Sequence, residues 1–436
     1  QRIVCDSRLI QKGDLFVALK GDRFNAHDFV ADALKAGAAA AMISERYSPD
    51  LSPVIVVEDD TKLGFGRLAS WWRKRFQIPV LAVTGSSGKT TVKEMINTIL
   101  CRYYGEDKVL STIGNLNNDI GVPMTLLRLN QRHKVAVVEL GMNNIGEISY
   151  LSKMVAPTIG VINNVGEAHI GSLGTLERIA QAKGELLNGL TNGGKILLNM
   201  DDVFFDYWAK RAGENQIISF GLTEEAKVSA KYIVEETESK LKMYISGDAF
   251  EFSLPVPGLH NVRNAVAATA AALALKIPAS DIASGLSNFR PMHGRLNTIS
   301  LSKNICLIDD SYNSNPDSMR AAIEVLSKMA GKKILIMGEM GDLGERTRRL
   351  HQEIGKFALN KGLDQLHGIG ESVDQAVASF GVGGKHYQDF QEFVKVLPSL
   401  VSSDINILVK GSRFTKLDRV VTRIRGLCEV TAGGGK

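Results

Sequence analysis

The run Thr84-Gly85-Ser86-Ser87-Gly88-Lys89-Thr90-Thr91 combines glycines, hydroxyls and one lysine. Such a run suits phosphate. Glycines let backbone N–H groups turn toward anionic oxygens, and a helix that starts here adds the positive end of its dipole. Lys89 would place a point charge on the terminal phosphates, and Thr90 offers a hydroxyl to Mg²⁺. The spacing is the short GxxGKT form, since the general pattern wants glycine where Val83 stands. The bland alternative is a Gly-rich turn that caps a helix. It accounts less well for the agreement of an apolar strand before the loop, Lys-Thr within it and an amphipathic helix after it.

Other polar residues stand where apolar runs end. Glu139 closes Val135-Ala-Val-Val-Glu139, and His169 ends the loop Asn164-Val-Gly-Glu-Ala-His169. Ligands of open parallel sheets bind beyond the carboxyl ends of the strands. A carboxylate and an imidazole placed there could hold a metal ion beside a nucleotide, although His169 alone also reads as a satisfied loop histidine. Lys183, Glu167 and Glu185 read on their own as solvated charges. Asn115, Asn117 and Asn118 crowd one loop, where amides stabilise turns or bind a polar ligand. Asn261 and Asn264, in His260-Asn-Val-Arg-Asn264, suit a helix N-cap or an amide that reads a base. Asp309-Asp310-Ser-Tyr-Asn-Ser-Asn315 is a further strand-end loop rich in ligand-type groups.

The elements that must position these residues follow from periodicity. Apolar runs predict strands at Asp14–Leu19, Ala38–Ile43, Val80–Thr84, Val135–Leu140, Thr158–Asn163, Lys195–Met200 and Ile217–Phe220, with helical segments between most of them. Val92, Met95, Ile96, Ile99, Leu100 and Tyr103 define one apolar helix face. Lys227–Phe252 alternates polar and apolar residues and suggests a hairpin insertion. Asn264–Leu275 is an Ala-rich helix suited to close packing. Past an interruption at Asn288–Gly294, strands are expected at Ile305–Asp309, Ile334–Met337, Gln365–Ile369 and Ile405–Lys410, and helices at Asp317–Met329, Arg348–Leu359 and Ser372–Ser379. The expected fold class is α/β with three domains: a small α/β N-terminal domain (1–79), a central P-loop domain of ATPase type with a parallel sheet (80–290), and a C-terminal Rossmann-like domain (291–436).

Composition bounds the partners. The 436 residues are 44% hydrophobic and 23% charged, which excludes a mainly disordered chain and a collagen-like fibre. A net charge of +5 gives no nucleic-acid footprint. Four scattered cysteines, Cys5, Cys101, Cys306 and Cys428, form no CxxC pair, so zinc spacing is absent and a reducing compartment is expected. No apolar run reaches the ~18 residues of a membrane span. The opening Gln1 suggests processing or trimming.

In order along the chain, Asp6-Ser-Arg8, Phe16–Gly21, Gly85–Thr90, Gly114–Asn118, Glu139-Leu-Gly-Met142, Asn164–His169, Ala182-Lys-Gly-Glu185, His260–Asn264, Asp310–Pro316 and Lys410-Gly-Ser-Arg413 resemble the motifs of the Mur ligase family, the ATP-dependent amide-forming enzymes of peptidoglycan precursor synthesis. Two features depart from the family pattern: Asn25-Ala26-His27 stands where DGH is common, and members carry more residues ahead of Asp6. The resemblance implies a bacterial, cytoplasmic enzyme, a monomer that joins a UDP-N-acetylmuramoyl-tripeptide to D-alanyl-D-alanine. Asn313-Ser-Asn-Pro-Asp-Ser318 favours that branch over the sister enzyme with an Asp-Asn-Pro-Arg signature.

Residue by residue, the resemblance implies ATP in the Thr84–Thr91 loop, with Lys89 on its phosphates. It places two Mg²⁺ ions on Thr90, Glu139, His169 and an N-carbamoylated Lys183. It gives Asn261 and Asn264 to adenine, Arg295 to phosphate and Asp310 to ribose. Ser7 and Arg8 serve the uridine nucleotide, Asn117 and Asn118 the muramoyl-peptide, and Lys410, Ser412 and Arg413 the reacting centre. Because these groups lie on different domains, a hinge is expected near Asn288–Gly294. The rival readings are folylpolyglutamate synthetase, which the first domain does not suit, and a nucleotide-regulated switch.

Overall fold

The computed structural model describes residues 2–21, 24–44, 53–245, 247–301, 304–401 and 403–433. Its strands form three sheets. The first holds β1 (Ile3–Val4), β2 (Leu15–Val17), β3 (Ala40–Ser44) and β4 (Val54–Val57), all parallel and in sequence order. The helix Thr61–Arg73 then leads to the middle domain and ties the two together. Arg73 is buried and donates to Val155 O (3.0 Å) and Ala156 O (3.2 Å), carbonyls at the C-terminal end of the helix Glu147–Val155. A cation suits that end of a helix dipole.

The second sheet has nine strands: β5 (Val80–Thr84), β6 (Val109–Ser111), β7 (Val135–Glu139), β8 (Ile159–Ile162), β9 (Lys195–Asn199), β10 (Gln216–Phe220), β11 (Val228–Val234), β12 (Ser239–Ile245) and β13 (Asp248–Leu254). The order is β13-β12-β11-β10-β9-β8-β5-β7-β6. From β6 to β11 the pairing is parallel. Lys227–Phe252 is therefore not a hairpin insertion. It is a three-stranded antiparallel meander that extends the sheet from β10, joined at Phe220↔Val228. All five residues of β5 and of β7 are buried, as expected for strands covered on both faces.

The helix Lys89–Tyr104 follows β5 and buries Val92, Met95, Ile96, Ile99 and Leu100, each worth about 1.5–3 kcal/mol of burial. Tyr103, expected on that face, is exposed instead: the buried stripe ends at Leu100, about one turn earlier along the helix axis. Against this helix lies Leu259–Ala274, whose alanines let the backbones approach closely. Gly285, in the helix Ala279–Ser287, touches the backbone of Ile99 so closely that a Cβ would stand 2.7 Å from its Cα.

The third sheet holds β14 (Asn297–Leu301), β15 (Ile305–Asp310), β16 (Lys332–Gly338), β17 (Gln365–Ile369), β18 (Gly384–Tyr387) and β19 (Ile405–Lys410), in the order β14-β15-β19-β16-β17-β18. Only β14 runs antiparallel to its neighbour. An apolar cluster continues from Ile170 and Leu173 of the middle domain to Met340 and Leu343 of the last.

Candidate active site

The middle sheet reverses its winding at β5: the chain proceeds to β6 and β7 on one side and to β8, β9 and β10 on the other. A cleft opens at the carboxyl ends of the strands around such a switch point. Here it is a cavity of about 600 Å³, and the third sheet closes it with the carboxyl ends of β15 and β19.

The phosphate-type loop follows β5 at the cavity floor. Thr84 and Gly85 lie behind it, where Thr84 Oγ1 donates to Leu140 O (3.0 Å). Ser86, Ser87, Gly88, Lys89, Thr90 and Thr91 line it. Asn164 holds the loop, accepting Ser86 N–H at its carbonyl (3.0 Å) and Ser87 N–H at Oδ1 (2.9 Å). Gly88 has φ +78°, and a Cβ there would stand 2.4 Å from Asn264 Oδ1. The helix that begins at Lys89 has no side-chain cap, so its first N–H groups face the cavity ready for an anion. Lys89 Nζ donates to Gly85 O (2.8 Å). Burial and then Arg295 push its pKa down, while Glu139 pulls it up.

Glu139 is 1% exposed at the end of β7. Its Oε1 accepts from Asn117 Nδ2 (2.7 Å), and its Oε2 is buried without a partner. Asn118 accepts Gly121 N–H (2.9 Å) and so caps the next helix. His169 sits at φ +63° and lines the cavity, its Nδ1 3.5 Å from Asp342 Oδ2 but in no hydrogen bond. Burial, Lys89 and Lys183 lower its pKa to about 4, so at neutral pH the imidazole is uncharged.

These donors fit Mg²⁺. That ion takes one or two carboxylates, keeps several waters and leaves positions for phosphates. An orphaned buried carboxylate oxygen, in a cavity that the buried Thr90 also lines, supplies such a start. Among the described residues no group of three or more His, Cys, Asp or Glu side chains is arranged to hold a metal by itself.

Lys183 is not the solvated charge its helix position suggests. It is 1% exposed and is not among the residues that line the cavity. Among the described residues no hydrogen bond or ion pair engages its Nζ. Burial and then Lys89 hold its pKa well below the ordinary lysine value. A neutral amine is the form that reacts with CO₂, so the position fits a carbamate. Glu185 and Glu167 also depart from the expectation of solvated charges. Glu185 is buried and accepts Gly146 N–H (2.7 Å) and Ser149 N–H (3.1 Å), capping the helix Glu147–Val155. Glu167 pairs with Arg320 of the last domain (3.2 Å).

Against the loop, Asn163, Asn264 and Asn261 form a buried amide chain. Asn163 Nδ2 donates to Asn264 Oδ1 (3.2 Å) and to Ser87 O (3.0 Å), and Asn261 Nδ2 donates to Pro257 O (2.8 Å). From the last domain come Asp310 and Lys410, a buried ion pair at 2.6 Å; Lys410 also donates to Asn313 O (2.9 Å). Burial raises the Asp310 pKa, outweighing the pull of Lys410. Arg295 and Arg413 both line the cavity and both stack on the Tyr312 ring. Ser412 is buried outside the lining; its Oγ donates to Ser314 O (3.2 Å) and accepts Gly341 N–H (2.8 Å). Ser7 and Arg8 stand apart on the first domain, where Arg8 pairs with Asp6 (2.7 Å) in solvent.

The last domain touches the loop directly. Asn315 and Ser87 hydrogen-bond through their side chains (3.2 Å), and Asp317 accepts Glu167 N–H (2.9 Å). Sequence reasoning did not single out Asn163, Asn164, Asp317 or Tyr312. Their signal was position: Asn163 and Asn164 follow an apolar strand, Tyr312 lies in a polar strand-end loop, and Asp317 stands in the first turn of the helix after that loop.

Three profiles match the chain in order: Mur ligase family, catalytic domain (residues 1–68); Mur ligase middle domain (83–272); and Mur ligase, glutamate ligase domain (294–413). A UDP-N-acetylmuramoyl-tripeptide–D-alanyl-D-alanine ligase of Haemophilus influenzae is 39% identical, over 98% of this chain and 93% of its own. The Escherichia coli enzyme of the same name is 38% identical over 98% and 94%. Among solved structures, MurF from Acinetobacter baumannii superposes with a TM-score of 0.91 at 38% identity, over 98% of this chain and 93% of its own. MurF ligase from Thermotoga maritima in complex with ADP gives 0.86 at 27%, over 99% and 98%.

Proposed function

The chain belongs to the Mur ligase family, and from that premise we propose that it is the ATP-dependent ligase that adds D-alanyl-D-alanine to a UDP-N-acetylmuramoyl-tripeptide, releasing ADP and phosphate. The observation that carries this reading is near-full-length identity to enzymes named for that reaction. The cavity supplies the chemistry it needs.

A peptide carboxylate is a poor electrophile. ATP overcomes this by passing its γ-phosphoryl group to the carboxylate, and the dipeptide amine then attacks the acyl phosphate. Both steps crowd negative charge together, and two unit charges ~4 Å apart repel by about 4 kcal/mol at an effective dielectric near 20. The helix start at Lys89, the Lys89 ammonium and Arg295 offset that charge, and the loop fixes the phosphates in place. Asn261 and Asn264 supply amides for the base, and Asp310 a carboxylate for the ribose. Asn117 orients Glu139 and, with Asn118, faces the muramoyl-peptide. Ser7 and Arg8 take the uridine end. Lys410, Ser412 and Arg413 shape the side from which the amine arrives.

Thr90, Glu139, His169 and Lys183 as its carbamate would hold two Mg²⁺ ions. Magnesium, when bound, neutralises phosphate oxygens. The carbamate gives Lys183 the acceptor oxygens that an amine lacks. The residues lining the cavity come from the middle and last domains of one chain, and a monomer is the expected state. The cytoplasm of a bacterium, where ATP is made, is the setting.

Phosphate release measured over a panel of UDP-muramoyl peptides and amines tests the reading. A ligase releases phosphate only when both the tripeptide precursor and the dipeptide are present. Release without an amine would favour a switch, and no ligated product with any pair would refute the proposal.

A further inference from the structure

Tyr312 has no role in the reaction as described so far, yet among the described residues no other tyrosine carries two guanidinium groups on its ring. It stands in the loop after β15, and it lines the cavity. Its ring carries two guanidinium groups: Arg295 Cζ is 4.5 Å and Arg413 Cζ 4.9 Å from the ring centroid. Two like charges on one ring repel, and each such stack contributes only about 0.5–2 kcal/mol. The arrangement makes sense where an anion joins it.

The phenol oxygen gives the direction. Tyr312 Oη is buried and has no hydrogen-bond partner; the Arg295 guanidinium approaches and lowers the phenol's pKa, yet reaches no hydrogen-bond geometry. Burial raises the pKa by more, so the hydroxyl keeps its proton and remains a donor at neutral pH. A buried hydroxyl without a partner is costly and calls for an explanation, and one that lines a cavity can be met by a bound ligand. Tyr312 lines the same cavity as Glu139, Lys89 and Arg295, the groups assigned above to the phosphates and Mg²⁺. Gly294 explains the ring's placement: it has φ +74°, and a Cβ there would stand 3.0 Å from Tyr312 Cβ and from its backbone nitrogen. The same turn is tied by Tyr312 N–H to Gly294 O (3.0 Å) and by Gly294 N–H to Asp309 Oδ2 (3.0 Å). Arg295 and Tyr312 are thus set by one clamp.

We propose that Tyr312 donates its hydroxyl proton in a hydrogen bond to an oxygen of the phosphoryl group in transfer, while its ring holds Arg295 and Arg413 together on the same anion. The inference rests on the ligase reading above. No bond is made to Tyr312 and its proton is not transferred. The hydroxyl supplies a donor whose bond strengthens as charge spreads over the equatorial oxygens, and this favours the transition state over bound ATP.

Two variants separate hydroxyl from ring. Tyr312→Phe keeps both stacks and loses the donor. Tyr312→Leu loses both. The assay supplies ATP and UDP-tripeptide without amine and traps the acyl phosphate with hydroxylamine, and full turnover with dipeptide is measured beside it. For Tyr312→Phe the expected result is a rate of acyl-phosphate formation lowered by about 10- to 100-fold, the worth of one hydrogen bond to a charged group, with KM for ATP changed less than about threefold. For Tyr312→Leu the same fall comes with a higher KM, because the two arginines lose their platform. Thermal melting with and without ATP checks that each variant is folded. Wild-type rates in Tyr312→Phe overturn the proposal, and so does a rise in KM with no fall in rate. Wild-type protein that makes no product in the same assay sinks the ligase reading and the inference with it, an outcome distinct from a defect confined to the variant.

Discussion

Replacing Lys183 by methionine should raise the stability of the protein in CO₂-free buffer while abolishing its activity, and the size of the gain should depend on pH in a set direction. The lysine is 1% exposed, unpaired among the described residues, and its pKa is held well below 10.5 by burial and by Lys89. Between that lowered value and 10.5 the unfolded chain binds a proton that the folded chain does not. Wild-type stability therefore rises with pH through this interval and levels off above 10.5, where neither state is charged. Methionine fills a similar volume and has nothing to titrate. The advantage of Lys183→Met should shrink by up to about 1.4 kcal/mol per pH unit, or ~2.7 kcal/mol over about two units. In a domain of this size that closes a melting-temperature gap by roughly 5–11 °C. Thermal melts of both proteins from neutral pH to about pH 9.5 measure it. Parallel curves would refute the reasoning, since they would mean a lysine charged in the folded protein. In the same preparations, wild-type ligation should fall when CO₂ is depleted and return with bicarbonate, and the methionine variant should respond to neither.

Gly88→Ala forces a left-handed residue at about 1–2 kcal/mol and drives a Cβ to within 2.4 Å of Asn264 Oδ1, parting the Asn163–Asn264 hydrogen bond. Calorimetry should find ATP affinity lost, and unchanged affinity would contradict this account of the loop. Asn117→Ala leaves the buried Glu139 carboxylate with both oxygens unpartnered, at about 1–3 kcal/mol in chemical denaturation and with a fall in kcat. Equal stability would mean that the Asn117–Glu139 bond is not formed in solution. Asp310→Asn strands the Lys410 ammonium, 2% exposed, and should cost about 3–5 kcal/mol in the same assay. A loss below ~1 kcal/mol would show the pair to be solvated.

The strands that carry the site were largely legible in the sequence because they are continuous apolar runs bounded by turn residues. Val80–Thr84, Gln365–Ile369 and Ile405–Lys410 lie where the pattern puts them. Short edge strands such as β6, β14 and β18 were not: three residues of β6 are too few for a period to show, and the residues of β14 and β18 are mostly half-exposed. In Lys227–Phe252 the alternation was clear, with Ser239, Leu241 and Met243 buried between exposed lysines. What the alternation could not say was which sheet the strands join, because a single residue pair makes the link.

The site divides along the same line. Sequence says which residues stand at strand ends; sheet order says which strand ends are neighbours. Lys183 and Glu185 look like surface charges in a helix pattern, and only the packing of that segment against the middle sheet and the helix Glu147–Val155 buries them. Asn163 and Asn164 look like the end of a strand until β8 is found beside β5, where they become the clamp on the phosphate loop. Tyr312 is one aromatic in a polar loop until two arginines far apart in sequence arrive on its ring. Each of these side chains acquires its chemistry from a neighbour that no local pattern names, so the part of the site that sequence reasoning missed is the part made where segments distant in the chain meet.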